Sequence, residues 1–232
     1  MTFVRFPRTP HLAWLGSGQP RDDKVLANEA AAELVSHVVT VEEKVDGANL
    51  GISLGPGSEL RMQNRGSYLD LKALHPQFKP LRHWLAARHA ALVNALAGNR
   101  ILFGEWCYAR HSVHYTRLPD WFLLFDVYDH AAGRFWSADR RDRLAAESDL
   151  ATVPRLTRGR FDLQGLRAML GPSRFGDGPA EGICVRRDRG GYLEQRAKLV
   201  APEFTETIGA HWSSRGVRPN ALGQASSAAG TA

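Results

Sequence analysis

This 232-residue chain lacks several features that would have fixed its class at once, and each absence excludes something. It holds only two cysteines, Cys107 and Cys184, far apart and each inside an apolar, strand-like run. That excludes a disulfide framework and points to a reducing compartment. No run approaches about 18 uninterrupted apolar residues, and the N-terminus MTFVRFPRTP has no apolar core of signal-peptide length. The expectation is a cytoplasmic protein with no membrane partner. No GxxxxGK followed by Ser or Thr occurs, so there is no P-loop. Lysine is scarce beside arginine, yet the formal charge is +6 and the pI about 9.7. Arginine forks onto phosphate oxygens, so a polyanionic partner is favoured.

What is present is a globular chain, 44% hydrophobic, long enough for one large domain or two small ones. Phe3 to Pro20 is rich in Pro and Gly and should wrap a surface, anchored by Trp14 and Leu15. Asp22 and Asp23 are candidate caps for a helix to about Ser36. Val41 to Leu54, VEEKVDGANLGISL, reads as strand, short loop and strand with Lys44 at the loop. Gly55 to Ser58 then turns into a strand over Leu60 to Asn64, forming a hairpin. Leu69 to Gly98 has a helical stripe broken at Pro76. Ile101 to Cys107 and Trp121 to Tyr128 read as buried strands ending in carboxylates, Glu105 and then Asp126 and Asp129. A short strand at Arg134 to Trp136 precedes a helix capped by Ser137, and Asp162 caps another ending near Gly171. A last hairpin, Gly182 to Arg187 and Tyr192 to Val200, carries Glu181 at its mouth with Arg196 and Lys198 on one face. From Ser213 the chain is small and polar and reads as a disordered tail.

In order, the chemistry-bearing stretches are EKVDGAN (Glu43 to Asn49), NRGS (Asn64 to Ser67), FGEW (Phe103 to Trp106), LLFDVYD (Leu123 to Asp129), EGICVR (Glu181 to Arg186) and QRAKLV (Gln195 to Val200). This series resembles the lysine nucleotidyltransferase superfamily of polynucleotide ligases and capping enzymes. It is most similar to the ATP-dependent RNA ligases related to the phage enzymes that seal nicks, over residues 40 to 205. The resemblance implies an α+β fold: an antiparallel-sheet, ATP-grasp-like nucleotidyltransferase core with outer helices and a cleft between sheets; the short stretch after Lys198 leads to the expectation of no OB-fold. The domain would span 1–212 and the tail 213–232. Only 34 residues follow Lys198, fewer than the roughly 40 a domain needs without staples.

The resemblance implies ATP and Mg²⁺ or Mn²⁺ as cofactors, and RNA carrying 5′-phosphate and 3′-hydroxyl ends as the partner, with an end-healing kinase or phosphatase acting in trans in RNA repair. Lys44 would be the nucleophile that carries AMP. A free lysine titrates near about 10.4, so it needs desolvation or neighbouring cations, for which Arg65, Arg196, Lys198 and the metal are candidates. Asp46 would organise the lysine loop, and Gly47 would let the backbone approach the nucleotide. Glu43 would read adenine by its backbone or side chain, Glu105 the ribose hydroxyls, and Phe125 would stack on the base. Arg65 would contact ribose or the RNA 5′-phosphate, and Glu181 and Asp126 the metal. Asn49 matches the RNA-ligase pattern KxDGxN where DNA ligases place arginine. Arg196 departs from the usual lysine at its position. Cys107, His111 and His114 suit zinc by type, but their spacing fits no closed four-ligand site; the ARHSVHY segment reads as a basic loop near nucleotide or RNA. The rival readings are a DNA ligase-like nucleotidyltransferase and a catalytically silent nucleic-acid-binding domain.

Overall fold

A run of β-branched residues, Val39-Thr40-Val41, extends the backbone and starts strand β1 (Val39–Lys44), which is buried almost throughout. In the computed structural model, which describes residues 3–18, 20, 24–206 and 216–223, β1 lies inside a four-stranded sheet in the order β7-β1-β8-β9. Its companions are β7 (Arg155–Gly159), β8 (Gly182–Arg189) and β9 (Tyr192–Val200), every pair antiparallel. Only Val45, Asp46 and Gly47 separate β1 from β2 (Ala48–Leu54), yet β2 belongs to a second sheet. That sheet runs β3-β2-β4-β5-β6, with β3 (Leu60–Gln63), β4 (Arg100–Trp106), β5 (Phe122–Asp129) and β6 (Arg134–Phe135), again antiparallel. The lysine loop is therefore the hinge between two sheets, and the cleft opens there.

Each sheet is covered outside by helices whose apolar faces are short. Helices α2 (Leu81–Ala87) and α3 (His89–Leu96) pack Leu81, Trp84, Leu92 and Leu96 against Leu50, Ile52, Leu102 and Phe122. Helix α1 (Asn28–Val35) and α5 (Leu163–Arg167) cover the other sheet through Leu34 and Leu166, against Val39, Val41, Ile183 and Leu199. Helix α4 (Ala138–Glu147), capped by Ser137 as expected, and the short α6 (Pro202–Glu206) complete the set. The α+β antiparallel architecture matches expectation. Among the described residues no closed barrel is present, and no helix is long and apolar enough to cross a membrane.

Several local expectations need correction. The N-terminal segment is anchored most deeply by Phe6, His11 and Leu12, all buried, whereas Trp14 and Leu15 are only partly buried, Leu15 against the core of the first sheet and Trp14 against His11. Backbone bonding explains the difference: Leu12 N donates to Lys198 O and Lys198 N to Pro10 O, so the segment runs beside β9. The first helix begins at Asn28; Asp22 and Asp23 lie outside the described residues. Leu69 to Gly98 is not one broken helix. Pro76 starts a 3-10 turn, and α2 and α3 follow separately, with Gly98 at φ 77° ending the second. The expected tail also divides: residues 216–223 are packed, with Asn220 buried, while 213–215 and 224–232 lie outside the described residues.

Candidate active site

Strand alternation puts Glu42 and Lys44 on the cleft face of β1 and Glu43 on the other. Lys44 emerges at the end of the strand, opposite Gly182, and its ammonium donates to the carboxylate of Glu181, just before β8. The surrounding cleft holds about 540 Å³ and is lined by Lys44, Asp46, Asn49, Arg65, Glu105, Phe125, Arg196 and Lys198 among others. Glu105 on β4 faces Asn49 on β2 in register. Burial pulls the Lys44 ammonium down, but Glu181, Glu105 and Asp46 outweigh it and hold its pKa above the usual lysine value. The expectation of a depressed lysine therefore does not describe this state, because carboxylates rather than cations are its nearest neighbours. Burial, joined by the charges of Asp46 and Glu181, pushes the Glu105 carboxyl up to about 8. Burial also raises Glu181, against the opposing pull of Lys44.

Asp46 is held from outside the lysine loop. Its Oδ2 accepts from the amides of Ser112 (2.6 Å) and Val113 (2.9 Å), and its own amide donates to the Tyr115 hydroxyl at 2.7 Å. The ARHSVHY segment is thus the cradle of Asp46. His111, partly buried beside it, is pushed down to about 4 by desolvation. Gly47 is needed for a close approach, but to protein: a Cβ there would stand 2.7 Å from the Trp106 carbonyl oxygen.

Phe125 reaches the cleft by a bulge. In the β4–β5 ladder Phe103 faces Asp126 and Gly104 faces Leu124, leaving Phe125 as the extra residue. Two buried arginines catch its carbonyl, Arg141 Nη1 at 2.8 Å and Arg186 Nη1 at 2.9 Å. Arg141 also donates to Glu42 at 2.6 Å, so α4, β1 and β5 meet at one guanidinium. The ring of Phe125 packs edge-on against Phe6, with centroids 5.1 Å apart.

The remaining candidates divide. Asp126 is buried between Arg186, at 2.8 Å, and Arg196, one on each oxygen. Two guanidiniums on one carboxylate repel a divalent cation, so the structure corrects its placement as a metal ligand and makes it the anchor of those arginines. Arg196, also stacked over Phe6 at 4.4 Å, spends its charge there. The Glu43 carboxylate is bound by Ser173 Oγ at 2.6 Å and the Arg174 amide at 2.8 Å, so its side chain is not aimed at a base. Arg65 is exposed at the cleft mouth, in a turn tied by Asn64 Oδ1, and Lys198 lines the wall near Glu181. Asn49 Oδ1 is buried without a hydrogen-bond partner among the described residues. Such an atom costs about 1–3 kcal/mol unless a ligand meets it. Sequence reasoning missed Glu42, Arg141, Tyr115 and Phe6; Glu42, beside the lysine motif, and Tyr115, closing the ARHSVHY segment, carried a readable signal.

Residues 37–200 match the RNA ligase family, well over half of the chain. The chain belongs to that family. No curated protein matches it. Among solved structures, the Naegleria gruberi RNA ligase with PPi shares 19% identity at a TM-score of 0.64, covering 89% of this chain and 64% of that one. An arginine-to-alanine mutant of the same ligase with ATP and Mn gives 0.64 at 19%, covering 90% and 59%. An apo mutant gives 0.56 at 22%, covering 73% and 51%. The chain spans from about half to under two thirds of these ligases, and the likeness establishes the fold.

Whether the RNA ligase family's divalent cation suits these residues turns on the donor set. Among the described residues no three His, Cys, Asp or Glu side chains converge as a metal centre, zinc included. Glu105 lines the cleft and Glu181 is bonded to Lys44 beside it, and both carboxylates act on that lysine. Magnesium commonly takes only one or two carboxylates and completes its shell with substrate phosphates and water, so the set fits.

Proposed function

We propose that residues 1–212, with the packed segment 216–223, form an ATP-dependent RNA ligase domain working through a covalent lysyl-AMP. The observation that carries this reading is the convergence on one cleft, between two sheets, of Lys44 paired with Glu181, Glu105, and the orphaned Asn49 carbonyl. Glu181, already bonded to the ammonium, is the base in reach. The neutral amine attacks the ATP α-phosphorus; the N–P bond forms, the bond to the β-phosphate bridge breaks, and pyrophosphate leaves with the electron pair. An RNA 5′-phosphate oxygen then takes the AMP from Lys44, which regains its amine. The 3′-hydroxyl attacks that activated phosphate, AMP departs, and a phosphodiester remains.

Arg65 and Lys198 supply fixed positive charge for phosphate oxygens, and Phe125 and Phe6 offer aromatic surface for the base. Glu105 and, once it has released the Lys44 proton to solvent, Glu181 would hold Mg²⁺ or Mn²⁺ together with the substrate's phosphates, and the cation would neutralise phosphate charge and favour the unprotonated amine. The solved relatives with ATP and Mn support this cofactor pair. The test is sealing of matched nicks with RNA or DNA on the 3′-hydroxyl side, with ATP and Mg²⁺. Sealing that requires RNA there is expected. Sealing of DNA alone would make this a DNA ligase-like enzyme, and tight RNA binding with no nucleotide transfer would make it a silent binding domain.

A further inference from the structure

The segment Gly216–Gly223 lies beyond the stretch that matches the RNA ligase family, yet it is built into the site's support. It runs beside the loop that follows β4 and bonds to it from one end to the other. Arg110 N donates to Arg218 O (2.8 Å), Asn220 N to Tyr108 O (2.8 Å), Ala221 N to Tyr115 O (3.0 Å) and Gly223 N to Leu118 O (2.8 Å). At its centre Asn220 is 6% exposed. Its amide donates to the carbonyls of Cys107 (2.8 Å) and Ala109 (3.3 Å), and its Oδ1 accepts from Tyr115 N at 2.9 Å. One side chain thus clamps the two ends of the 107–115 loop. Asparagine suits this place because it offers two donors and an acceptor without charge.

That loop is the one that holds Asp46, through Ser112 N, Val113 N and the Tyr115 hydroxyl. We infer that Asn220 is a positioning residue for Lys44, acting through Tyr115 and Asp46, and that Gly216–Gly223 is a strap setting the geometry of AMP transfer. The inference rests on the lysyl-AMP reading. Asn220 does not line the cleft and bonds only to the 107–115 loop, so it acts on the attack geometry and not on ATP affinity. A second loop braces the same cradle from the other side: Thr116 N and Arg117 N both donate to Phe175 O, and a Cβ on Gly176 would stand 2.6 Å from His114 O. The strap is the brace that carries a buried side chain into the loop.

The test uses the full chain with Asn220→Ala, Tyr115→Phe and the pair combined. Tyr115→Phe keeps the packing and removes only the hydroxyl that receives the Asp46 amide. Two readouts are taken: the single-turnover rate of AMP transfer across ATP concentrations, per molecule able to react, and amide exchange at Ser112 and Val113. In Asn220→Ala the rate at saturating ATP should fall roughly ten- to a hundredfold with half-saturation nearly unchanged, since misplacement by about 1 Å is enough for such a loss. Tyr115→Phe should lose less, the double variant should be no slower than Asn220→Ala, and exchange at both amides should accelerate. A parental rate in Asn220→Ala, with only a lower unfolding midpoint, would show packing alone and overturn the inference. So would unchanged protection at Ser112 and Val113. If the parent takes no AMP, the lysyl-AMP reading fails by itself, and amide exchange still decides whether Asn220 holds the Asp46 loop.

Discussion

Lys44, the last residue of β1, and Gly47, the last before β2, show what the passage between two sheets must satisfy. The lysine needs a carboxylate partner in the resting state, and the glycine needs to pass Trp106 closely. Gly47→Ala should destabilise the fold by about 1–3 kcal/mol in urea denaturation, because its new methyl meets a backbone oxygen that cannot swing away. His111 gives a pH test. It stays neutral in the folded protein down to about pH 4, whereas an unfolded histidine takes its proton near about 6.5. The unfolded chain therefore binds more protons between these values, and stability contributed by His111 is lost as pH falls from about 6.5 toward about 4. Unfolding midpoints measured across that range should fall less steeply in His111→Gln. Residue types were the most legible layer: the motif positions Lys44, Asn49, Glu105 and Lys198 line one cleft, with Glu181 bonded to Lys44 beside it. The fate of Asp126 was not legible, because its two arginine partners arrive from β8 and β9, and nothing local announces them.

At the scale of elements, the β5 bulge joins fold to site. Arg141 and Glu42 are fully buried, so removing one leaves the other charged and unpaired in a dry core. Arg141→Ala should lower stability by about 3–5 kcal/mol. The exposed pair Arg158–Asp139 offers the contrast, and Arg158→Ala should change stability by less than about 1 kcal/mol. Equal losses in the two variants, read by the same denaturation, would contradict the view that the buried arginine pins the sheets together. Apolar strands such as β4 and β5 announce themselves by composition. Strand β7, RLTRG, escaped notice because it is a half-exposed edge with arginines at its first and fourth positions and no apolar alternation, and its identity comes from pairing with β1. Where the N-terminal and C-terminal segments dock escaped for a related reason: both are placed largely by backbone hydrogen bonds, which leave little mark on the sequence beyond a few buried side chains such as Phe6 and Asn220.

For the whole molecule, the +6 charge is a statement about partners and not about fold. If the chain grips RNA through Arg65 and other surface arginines, binding to a single strand should weaken linearly in log–log with salt, by about 0.7 per phosphate contacted. Filter-binding between low and physiological salt reads this directly, and salt-independent retention would contradict it. Arginines already committed inside, such as Arg141, Arg186 and Arg196, contribute nothing to that slope. The central claim is chemical, that one lysine among five in the chain carries the nucleotide. The most direct measurement is peptide mapping by mass spectrometry after incubation with ATP and Mg²⁺, on protein first stripped of any AMP by pyrophosphate. AMP found on the peptide containing Lys44, and absent in Lys44→Ala protein that still folds, is the predicted result. AMP on another residue, or undiminished transfer in Lys44→Ala, would contradict it.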